Sequence, residues 1–308
     1  MKLSMRMCQT EDDYWRLRAF LREVFLLNNC RELSWQVARL DYWRYFGNEH
    51  IEHYTLDEAI CLWETDNGQI VAFVTPESRG HAYLQVHPRF RTPELETEML
   101  QAAEIHLAEP DAEGQRQVTV WAHRTDALRI QVLHRRGYER GDWPEYQFRR
   151  SLADDIPAVH PAPGYNIRSL GDHTELPARS WLSWRVFHPD EPDENYRGWE
   201  WYPDVQRCPL YRRDLDLVAV APGGELVAFA TVWYDDVTRS GYFEPVGTSP
   251  DHRRKGLGKA ILTEGLLRLQ RLDASYATVA GYSEPALSLY RSVMQSGESL
   301  YERWHKAF

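Results

Sequence analysis

Residues 246–258, VGTSPDHRRKGLG, are the stretch of sequence that decides the predicted fold. They join a strand-like stretch, residues 241–248, to an amphipathic helix predicted over residues 259–271. The apolar stripe of this helix has helical spacing and consists of Ile261, Leu262, Gly265, Leu266 and Leu269. A basic turn with two glycines before a helix predicts a phosphate site, because free N–H groups and the positive end of the helix dipole face the anion.

The spacing of this turn excludes two common nucleotide motifs. It fits neither the GxxxxGK(S/T) P-loop nor the GxGxxG dinucleotide fingerprint. A nucleotide kinase and a Rossmann site are therefore not supported. The alternative is purely structural, a helix start with two glycines and a basic turn that holds no ligand.

The region around this turn has a counterpart in the first half of the chain. Residues 68–75, GQIVAFVT, resemble residues 224–231, GELVAFAT, which lie 156 positions later. Each follows an apolar stretch and a glycine turn, a pattern that predicts a β-hairpin. At an offset of 162, residues 84–91 match residues 246–253, and Arg6 matches Arg168. Several matches in the same order indicate that one fold occurs twice.

Length and a proline-rich segment define the expected domains. The chain has 308 residues, enough for about two domains. Residues 151–166, SLADDIPAVHPAPGYN, have no apolar period and predict an extended linker. We expect a first domain at residues 1–152, a linker at 153–164 and a second domain at 165–308. Each domain is expected to have a mixed α/β (α+β) fold, with a mostly antiparallel central sheet flanked by helices.

Composition excludes several classes of protein. Acidic residues outnumber basic ones by 46 to 36, which argues against a general binder of nucleic acids or anionic membranes. The four cysteines lack metal-ligand spacing, so neither a zinc site nor a disulfide framework is predicted. The first residues lack the apolar stretch of a signal peptide, and no run of about 18 apolar residues occurs. We therefore expect a cytoplasmic protein without a metal ion.

The basic turn resembles the R/Q-x-x-G-x-G/A signature of the GNAT superfamily of acetyl-CoA-dependent N-acetyltransferases. Residues 253–258, RRKGLG, carry this resemblance, and residues 246–250, VGTSP, resemble the strand before the turn. Residues 286–290, ALSLY, resemble the second motif of the family, a helix with A-x-x-L-Y. The resemblance covers most of residues 165–308 and, weakly, residues 1–150. It implies two tandem GNAT-like domains.

The resemblance also implies which residues bind acetyl-CoA. Backbone N–H groups from Arg254 to Gly258 would hold the CoA pyrophosphate, while Val246 and Thr248 would pair with the pantetheine amides. Ser283 departs from the family pattern, which often has Asn at that contact. The complete predicted cofactor set is Val246, Gly247, Thr248, Arg253, Arg254, Lys255, Gly256, Leu257, Gly258 and Ser283.

Two residues are predicted to carry the chemistry. By resemblance, Tyr290 would protonate the leaving thiolate, and an unperturbed phenol with a pKa of about 10 is protonated at neutral pH. The alternative for Tyr290 is a core tyrosine. Glu244 is the first candidate for the base, because period 2 along the strand would put it on the face of Val246 and Thr248. A strand-end ion pair is its alternative, and Asp235 and Asp236 are weaker candidates.

The first half departs from the cofactor motif. At the offset of 162, Glu94 and Glu96 replace the two glycines, Pro93 removes one N–H donor, and His134 stands at the tyrosine position. We therefore expect the first half to keep the fold but not to bind CoA. His134 is either a remnant of a site or an ordinary polar helix residue.

The predicted reaction is transfer of an acetyl group to a primary amine of a small acceptor by direct attack. The acceptor side is expected within residues 181–207, where carboxylates and aromatic rings suit a cationic amine. An acidic surface loop before a core helix is the alternative for this segment. Two other functions stay open: a non-catalytic acyl-CoA sensor or scaffold, and transfer of another acyl group. The sequence leaves the acceptor and the oligomeric state undetermined.

Overall fold

The computed structural model describes residues 2–294 and 297–308. The chain forms two compact units. The first contains Met1–Tyr146 together with Ser299–Phe308, and the second contains Gln147–Glu298.

The first unit is a mixed sheet covered by helices. Its helices are α1 (Glu11–Leu27), α2 (Val37–Tyr42), α3 (Leu56–Ala59), α4 (Pro93–His106) and α5 (Ala127–Arg135), and a π-helical segment, Trp43–Glu52, continues α2. Its strands are β1 (Leu3–Met7), β2 (Cys61–Thr65), β3 (Ile70–Ser78), β4 (His81–Val86), β5 (Glu109–Pro110), β6 (Arg116–His123), β7 (Glu139–Arg140) and the C-terminal β14 (Glu298–Ala307). The main order is β1-β2-β3-β4-β6-β14, in which β4 and β6 are parallel and the other neighbours are antiparallel.

The second unit has the same plan. Its helices are α6 (Leu176–Phe187), α7 (Tyr202–Gln206), α8 (Leu257–Arg271) and α9 (Glu284–Met294). Its strands are β8 (Glu145–Ser151), β9 (Asn166–Ser169), β10 (Asp216–Val220), β11 (Leu226–Asp235), β12 (Ser240–Thr248) and β13 (Tyr276–Gly281). The order is β8-β13-β12-β11-β10-β9; β9 to β12 are antiparallel neighbours, and β12 and β13 are parallel.

Both faces of the second sheet are covered by apolar side chains. Phe229 packs with Leu182 of α6, whereas the preceding residue, Ala228, lies on the opposite face and packs with Leu257 of α8. Because successive strand residues point to opposite faces, one apolar strand serves both layers.

Each unit includes one strand from outside the sequence range expected for it. Strand β14 pairs with β6 in the first unit, from Tyr301–His123 to Ala307–Gln117. Residues 147–151 of β8 belong to the second unit, beside β13. The boundary at residue 152 therefore separates the sequence repeats but not the compact units, because strand pairing and not chain order decides which segments pack together. Residues 152–165 contain neither helix nor strand.

The repeat predicted from sequence is visible in the strand registers. Ala72 pairs with Val86 in the first unit, and Ala228 pairs with Thr248 in the second. Ala72 and Ala228 are 156 positions apart, and Val86 and Thr248 are 162 positions apart. The strand pairs therefore reproduce both offsets of the sequence repeat. The two hairpin turns also agree, since Gly68 and Gly224 both have positive φ.

An ion pair is repeated as well. The Arg6 guanidinium bonds the Asp13 carboxylate at 2.6 Å, and Arg168 bonds Glu175 in the same way, with the acidic residue seven positions later in both cases. The pair attaches β1 in the first unit and β9 in the second to the helical segment that follows each strand. The tandem α/β fold predicted from sequence is therefore confirmed.

Candidate functional site

The turn after β12 has the backbone shape of an anion-binding loop. Arg254 has φ of 64° and Gly256 has φ of 73°, both in the left-handed region. Gly256 is the N-cap of α8, and no side chain caps the N–H groups of the first helical turn. These N–H groups are therefore available to an anion, and the helix dipole adds favourable potential.

The three glycines of the predicted site serve different purposes. A Cβ on Gly256 would meet no atom within 4 Å, so its left-handed φ is what favours glycine. At Gly258 a Cβ would lie 2.9 Å from the Leu289 side chain, and at Gly247 it would lie 2.6 Å from Val186. Gly258 thus lets α8 approach α9, and Gly247 lets β12 approach α6. Leu257 is buried, so only its backbone faces the loop.

The charged side chains of the loop are exposed and have no carboxylate partner in residues 2–294 and 297–308. They are Arg253, Arg254 and Lys255. Lys255 Nζ donates to the Tyr165 hydroxyl at 2.9 Å, and the same oxygen lies 3.0 Å from His252 Nδ1. Tyr165 and His252 were missed by sequence reasoning, because Tyr165 lies about 90 residues from the loop and a lone histidine carries little signal.

Strand β12 has an open edge beside this loop. It pairs with β13 only from Ser240–Tyr276 to Phe243–Val279, whereas it pairs with β11 as far as Thr248. Within the described residues, the stretch from 244 to 248 therefore has a neighbouring strand on one side only. Val246 and Thr248 are half-buried there. An extended ligand with amide groups can add to such an edge by main-chain hydrogen bonds.

Strand β12 has a bulge beside Glu244, because Val232 pairs with Phe243 and Ala230 pairs with Val246. Glu244, Val246 and Thr248 are all half-buried, whereas residues 245 and 247 are buried. The shared face predicted for Glu244, Val246 and Thr248 stays a prediction. The Glu244 carbonyl accepts a hydrogen bond from the Trp233 indole at 2.6 Å.

Tyr290 is held in the second unit close to Glu244. Its side chain is only 6% exposed, and its ring lies over Gly281, where a Cβ would come within 2.9 Å of it. Burial, and then the charge of Glu244, raise the pKa of Tyr290 above the ordinary phenol value. The phenol is therefore protonated at neutral pH. Its hydroxyl has no hydrogen-bond partner among the described residues.

Three other candidates from the sequence are Ser283, Asp235 and Asp236. Ser283 is exposed in the turn before α9, where its carbonyl accepts the Leu287 N–H at 2.9 Å. Asp235 is buried and its carboxylate accepts the Thr238 hydroxyl at 2.7 Å, which is the role of a turn residue. Asp236 is exposed beside it.

The corresponding place in the first unit is filled by its own side chains. Gln85 stands where Gly247 stands in the second unit, and its side-chain carbonyl accepts the Trp35 N–H at 2.8 Å. Tyr83, the first residue of β4 beyond its pairing with β6, is buried and stacks on Trp121. Within the described residues, β4 has β3 as its only neighbouring strand from Tyr83 to Val86, and the two stacked rings lie where β4 parts from β6.

The helix start in the first unit also differs. The Thr92 hydroxyl caps α4 through the Leu95 N–H, and Pro93 occupies the first turn. Glu94 is exposed, but Glu96 is fully buried and accepts hydrogen bonds from Arg129 and Arg91 at 2.9 and 2.6 Å. No residue from 87 to 94 has positive φ. An internal ion pair therefore stands at the helix start instead of an anion-binding loop.

The segment expected to face the acceptor is aromatic and acidic. At the end of α6, the Trp184 ring stacks on His188 with centroids 4.0 Å apart, and Tyr196 packs edge-on against Trp181. Exposed carboxylates follow at Asp190, Glu191, Asp193 and Glu194. Val186, on the same helix, is the residue that packs on Gly247. The C-terminal end of α6 is thus next to β12.

The described residues contain no cluster of three or more His, Cys, Asp or Glu side chains that could hold a metal ion. None of the helices within these residues is both long and apolar enough to cross a bilayer. The four cysteines are free thiols.

Comparison with known proteins identifies the second half. Residues 176–294 match the family model described as acetyltransferase (GNAT) family. A search of curated protein sequences finds no match. The loop at residues 254–258 and the open edge of β12 both lie within this matched range, and the matched family is one of acyltransferases that use an acyl-CoA.

Solved structures extend the similarity to the whole chain. A GCN5-related N-acetyltransferase from Sphaerobacter thermophilus matches with a TM-score of 0.66 at 19% identity, over 99% of this chain and 95% of that chain. A tandem GNAT protein from the clavulanic acid biosynthesis pathway gives 0.66 at 13%, over 99% and 98%. A glucosamine N-acetyltransferase region of a fungal multi-domain beta-N-acetylglucosaminidase gives 0.57 at 16%, over 99% and 38%. Residues 176–294 therefore match the GNAT acetyltransferase family, and the whole chain has the tandem GNAT fold.

Proposed function

We propose that the second unit transfers the acetyl group of acetyl-CoA to a primary amine of a small acceptor by direct attack. The observation that carries this proposal is the electrostatic proximity of Glu244 to Tyr290, whose hydroxyl has no hydrogen-bond partner among the described residues. A carboxylate on β12 and a protonated phenol on α9 are the base and acid that amide formation from a thioester requires.

The cofactor-binding part of the proposal rests on shape and charge. The left-handed loop at residues 254–258 and its unpaired cations suit the CoA pyrophosphate. The edge of β12 from Val246 to Thr248 suits the pantetheine amides. Lys255 is held beside the loop by Tyr165, so its position does not depend on the ligand.

Glu244 and Tyr290 supply the two proton transfers that the proposed reaction needs. The neutral amine attacks the acetyl carbonyl carbon, and its surplus proton passes to Glu244, directly or through water. The carbon–sulfur bond then breaks, and the Tyr290 hydroxyl protonates the departing thiolate. The products are an N-acetylated acceptor and CoA with a free thiol. No covalent acyl-enzyme is needed, so both substrates occupy the site together.

We further propose that the first unit does not bind CoA. At the start of α4, the Leu95 N–H already donates to the Thr92 hydroxyl, and the Arg129 guanidinium is already paired with Glu96. Neither donor is left to bind a phosphate. On the strand itself, Gln85 stands in the place of Gly247 with its side chain bonded to Trp35, and the Tyr83 ring stacks on Trp121. One acetyl-CoA per chain is the expected stoichiometry.

Cationic amines are the first acceptors to test, because the segment after α6 is acidic and aromatic. Amino sugars join the panel because a structure of the same fold is described as a glucosamine N-acetyltransferase region. The full-length protein would be assayed by thiol release with acetyl-CoA over diamines, amino sugars, amino acids and peptide N-termini.

The expected result is saturable thiol release with at least one amine and initial-rate patterns of a ternary complex. A matched assay with succinyl-CoA and longer acyl-CoAs tests the alternative acyl group. Binding of acetyl-CoA without turnover over the whole panel would instead support the sensor alternative. Thiol release without an amine, with acetyl retained on the protein, would contradict direct attack.

A further inference from the structure

The acid of the proposed reaction is packed against a strand that comes from the end of the first sequence repeat. Residues 147–151 of β8 lie in the second unit beside β13. The attachment continues at Leu152, whose N–H donates to the Ser275 carbonyl at 2.9 Å and whose carbonyl accepts from Gln270 at 2.9 Å. The Arg149 guanidinium covers the Tyr276 ring at 4.7 Å.

Phe148 of this strand contacts the Tyr290 ring directly. The two ring centroids are 5.9 Å apart with an interplanar angle of 62°, an edge-to-face arrangement. Phe148 is 2% exposed, so its ring is enclosed and cannot shift together with the Tyr290 ring. Together with the backbone of Gly281, it limits the positions that the Tyr290 ring can take.

Arg150, two residues further along the strand, holds the helix that carries Tyr290. Its guanidinium donates to the Val293 carbonyl in the last turn of α9 and, at 2.8 Å, to the Asp155 carbonyl. A cation at the C-terminal end of a helix is favourable both for the dipole and for the unpaired carbonyls there. Val293 lies three residues after Tyr290, one helical turn away.

We propose that Phe148 and Arg150 are positioning residues for Tyr290, so that the catalytic unit is completed by a strand from outside residues 165–308. This inference rests on the proposed role of Tyr290 as the acid. Phe148 fixes the orientation of the phenol ring, and Arg150 fixes the position of α9 along β13. A general acid loses most of its effect when its proton is displaced by about 1 Å, which makes this contact a determinant of rate.

The test is a double-mutant cycle on the full-length protein between Phe148→Leu and Tyr290→Phe. We expect Phe148→Leu to lower kcat roughly tenfold, with the KM and Kd for acetyl-CoA unchanged, because a misdirected acid affects the chemical step only. In the Tyr290→Phe background, which lacks the proton, Phe148→Leu is expected to have no further effect on kcat. Leu170→Ala, a core substitution elsewhere in the unit, serves as the control for general destabilisation.

Arg150→Lys provides a second route if Phe148→Leu fails to fold. Lysine keeps the charge at the end of α9 but loses the second hydrogen bond of the guanidinium. The same signature is expected: lower kcat, unchanged Kd for acetyl-CoA, and no additional loss in the Tyr290→Phe background.

The outcomes separate this inference from the function on which it rests. Equal losses of kcat in both backgrounds, or a loss that appears in the Kd for acetyl-CoA, would overturn the positioning role and leave the acid assignment intact. An unchanged kcat in Tyr290→Phe alone would instead remove the acid and, with it, the reason for the positioning role.

Discussion

The carboxylate of Glu96 accepts hydrogen bonds from Arg129 Nε and Nη2 at 2.9 and 3.1 Å. Both side chains are almost fully buried, and Glu96 stands at the helix position that Gly258 occupies in the second unit. The first unit thus contains an internal ion pair where its counterpart has a loop suited to phosphate. The pair is a structural feature whose loss is costly, because each charge depends on the other.

Glu96→Gln is expected to destabilise the protein by about 3–5 kcal/mol, because Arg129 keeps its buried charge and loses its main partner. Urea unfolding followed by circular dichroism measures this change. Glu94→Gln, at an exposed position two residues earlier in α4, is the matched control and is expected to change stability by less than about 0.5 kcal/mol. Equal effects of the two substitutions would contradict the role of the ion pair.

Gly256→Ala is expected to weaken acetyl-CoA binding. The residue has φ of 73°, so an alanine costs about 1 kcal/mol in the observed loop and favours another backbone shape. Gly224→Ala is the matched control, since Gly224 also has positive φ and open space around its Cα but lies in the β10–β11 hairpin. Isothermal titration would show weaker binding for Gly256→Ala alone.

The same titration measures the stoichiometry. Gly256→Glu places a carboxylate in the loop and is expected to abolish binding completely. A remaining site with a stoichiometry near one would mean that the first unit binds the cofactor.

Tyr290→Phe is expected to lower kcat by about 10²–10⁴ while the Kd for acetyl-CoA stays unchanged. Because burial and the Glu244 charge raise the pKa of Tyr290, wild-type activity is expected to show no decline from Tyr290 ionisation below pH of about 10. Steady-state kinetics from pH 6 to 10 measures both effects. Tyr234→Phe, which loses only a hydrogen bond to the Leu272 carbonyl, is the control.

Glu244→Gln is expected to slow turnover throughout the range from pH 7 to 9.5. The surplus proton that Glu244 accepts appears only after the neutral amine has attacked, so the deficit relative to wild type does not vanish when the free amine is deprotonated. Rates from pH 7 to 9.5 test this expectation. Asp236→Asn, an exposed carboxylate on the turn after β11, is the comparison; a larger effect there would move the base away from Glu244.

Glu32 is expected to make stability depend on pH. Burial, and then the charge of Glu145, raise its pKa from 4.5 to about 7, against the opposing charge of Arg39. A carboxyl with a raised pKa binds its proton more tightly in the folded state. The contribution of Glu32 to the free energy of unfolding is therefore complete below about pH 4.5 and is lost as the pH rises to 7.

Glu32→Gln removes this proton linkage. We expect the variant to be more stable than wild type by about 1–3 kcal/mol at pH 8, and the difference to vanish near pH 4.5. Urea midpoints at intervals of half a pH unit measure the difference. Glu113→Gln, an exposed hairpin residue, is the control, and a pH-independent gain for Glu32→Gln would rule out the raised pKa.

Local patterns were enough to predict much of the fold. The glycine turns at Gly68 and Gly224 define their hairpins, and the stripe from Ile261 to Leu269 defines one face of α8. These signals are local because turn conformation and helix periodicity depend on residues within a few positions of each other. The bulge beside Glu244 was beyond such reasoning, since it depends on how β12 pairs with the neighbouring strand β11.

The sequence by itself determined the tandem fold, the family of the second half and the loss of the cofactor motif in the first, because each is written in short contiguous patterns. Only the tertiary structure decided that Glu96 is paired with Arg129, that Tyr165 holds Lys255, and that Phe148 reaches Tyr290 from another part of the chain. These relationships join residues separated by 33, 90 and 142 positions. Strand pairing and burial create them, and neither follows from the spacing of residues along the chain.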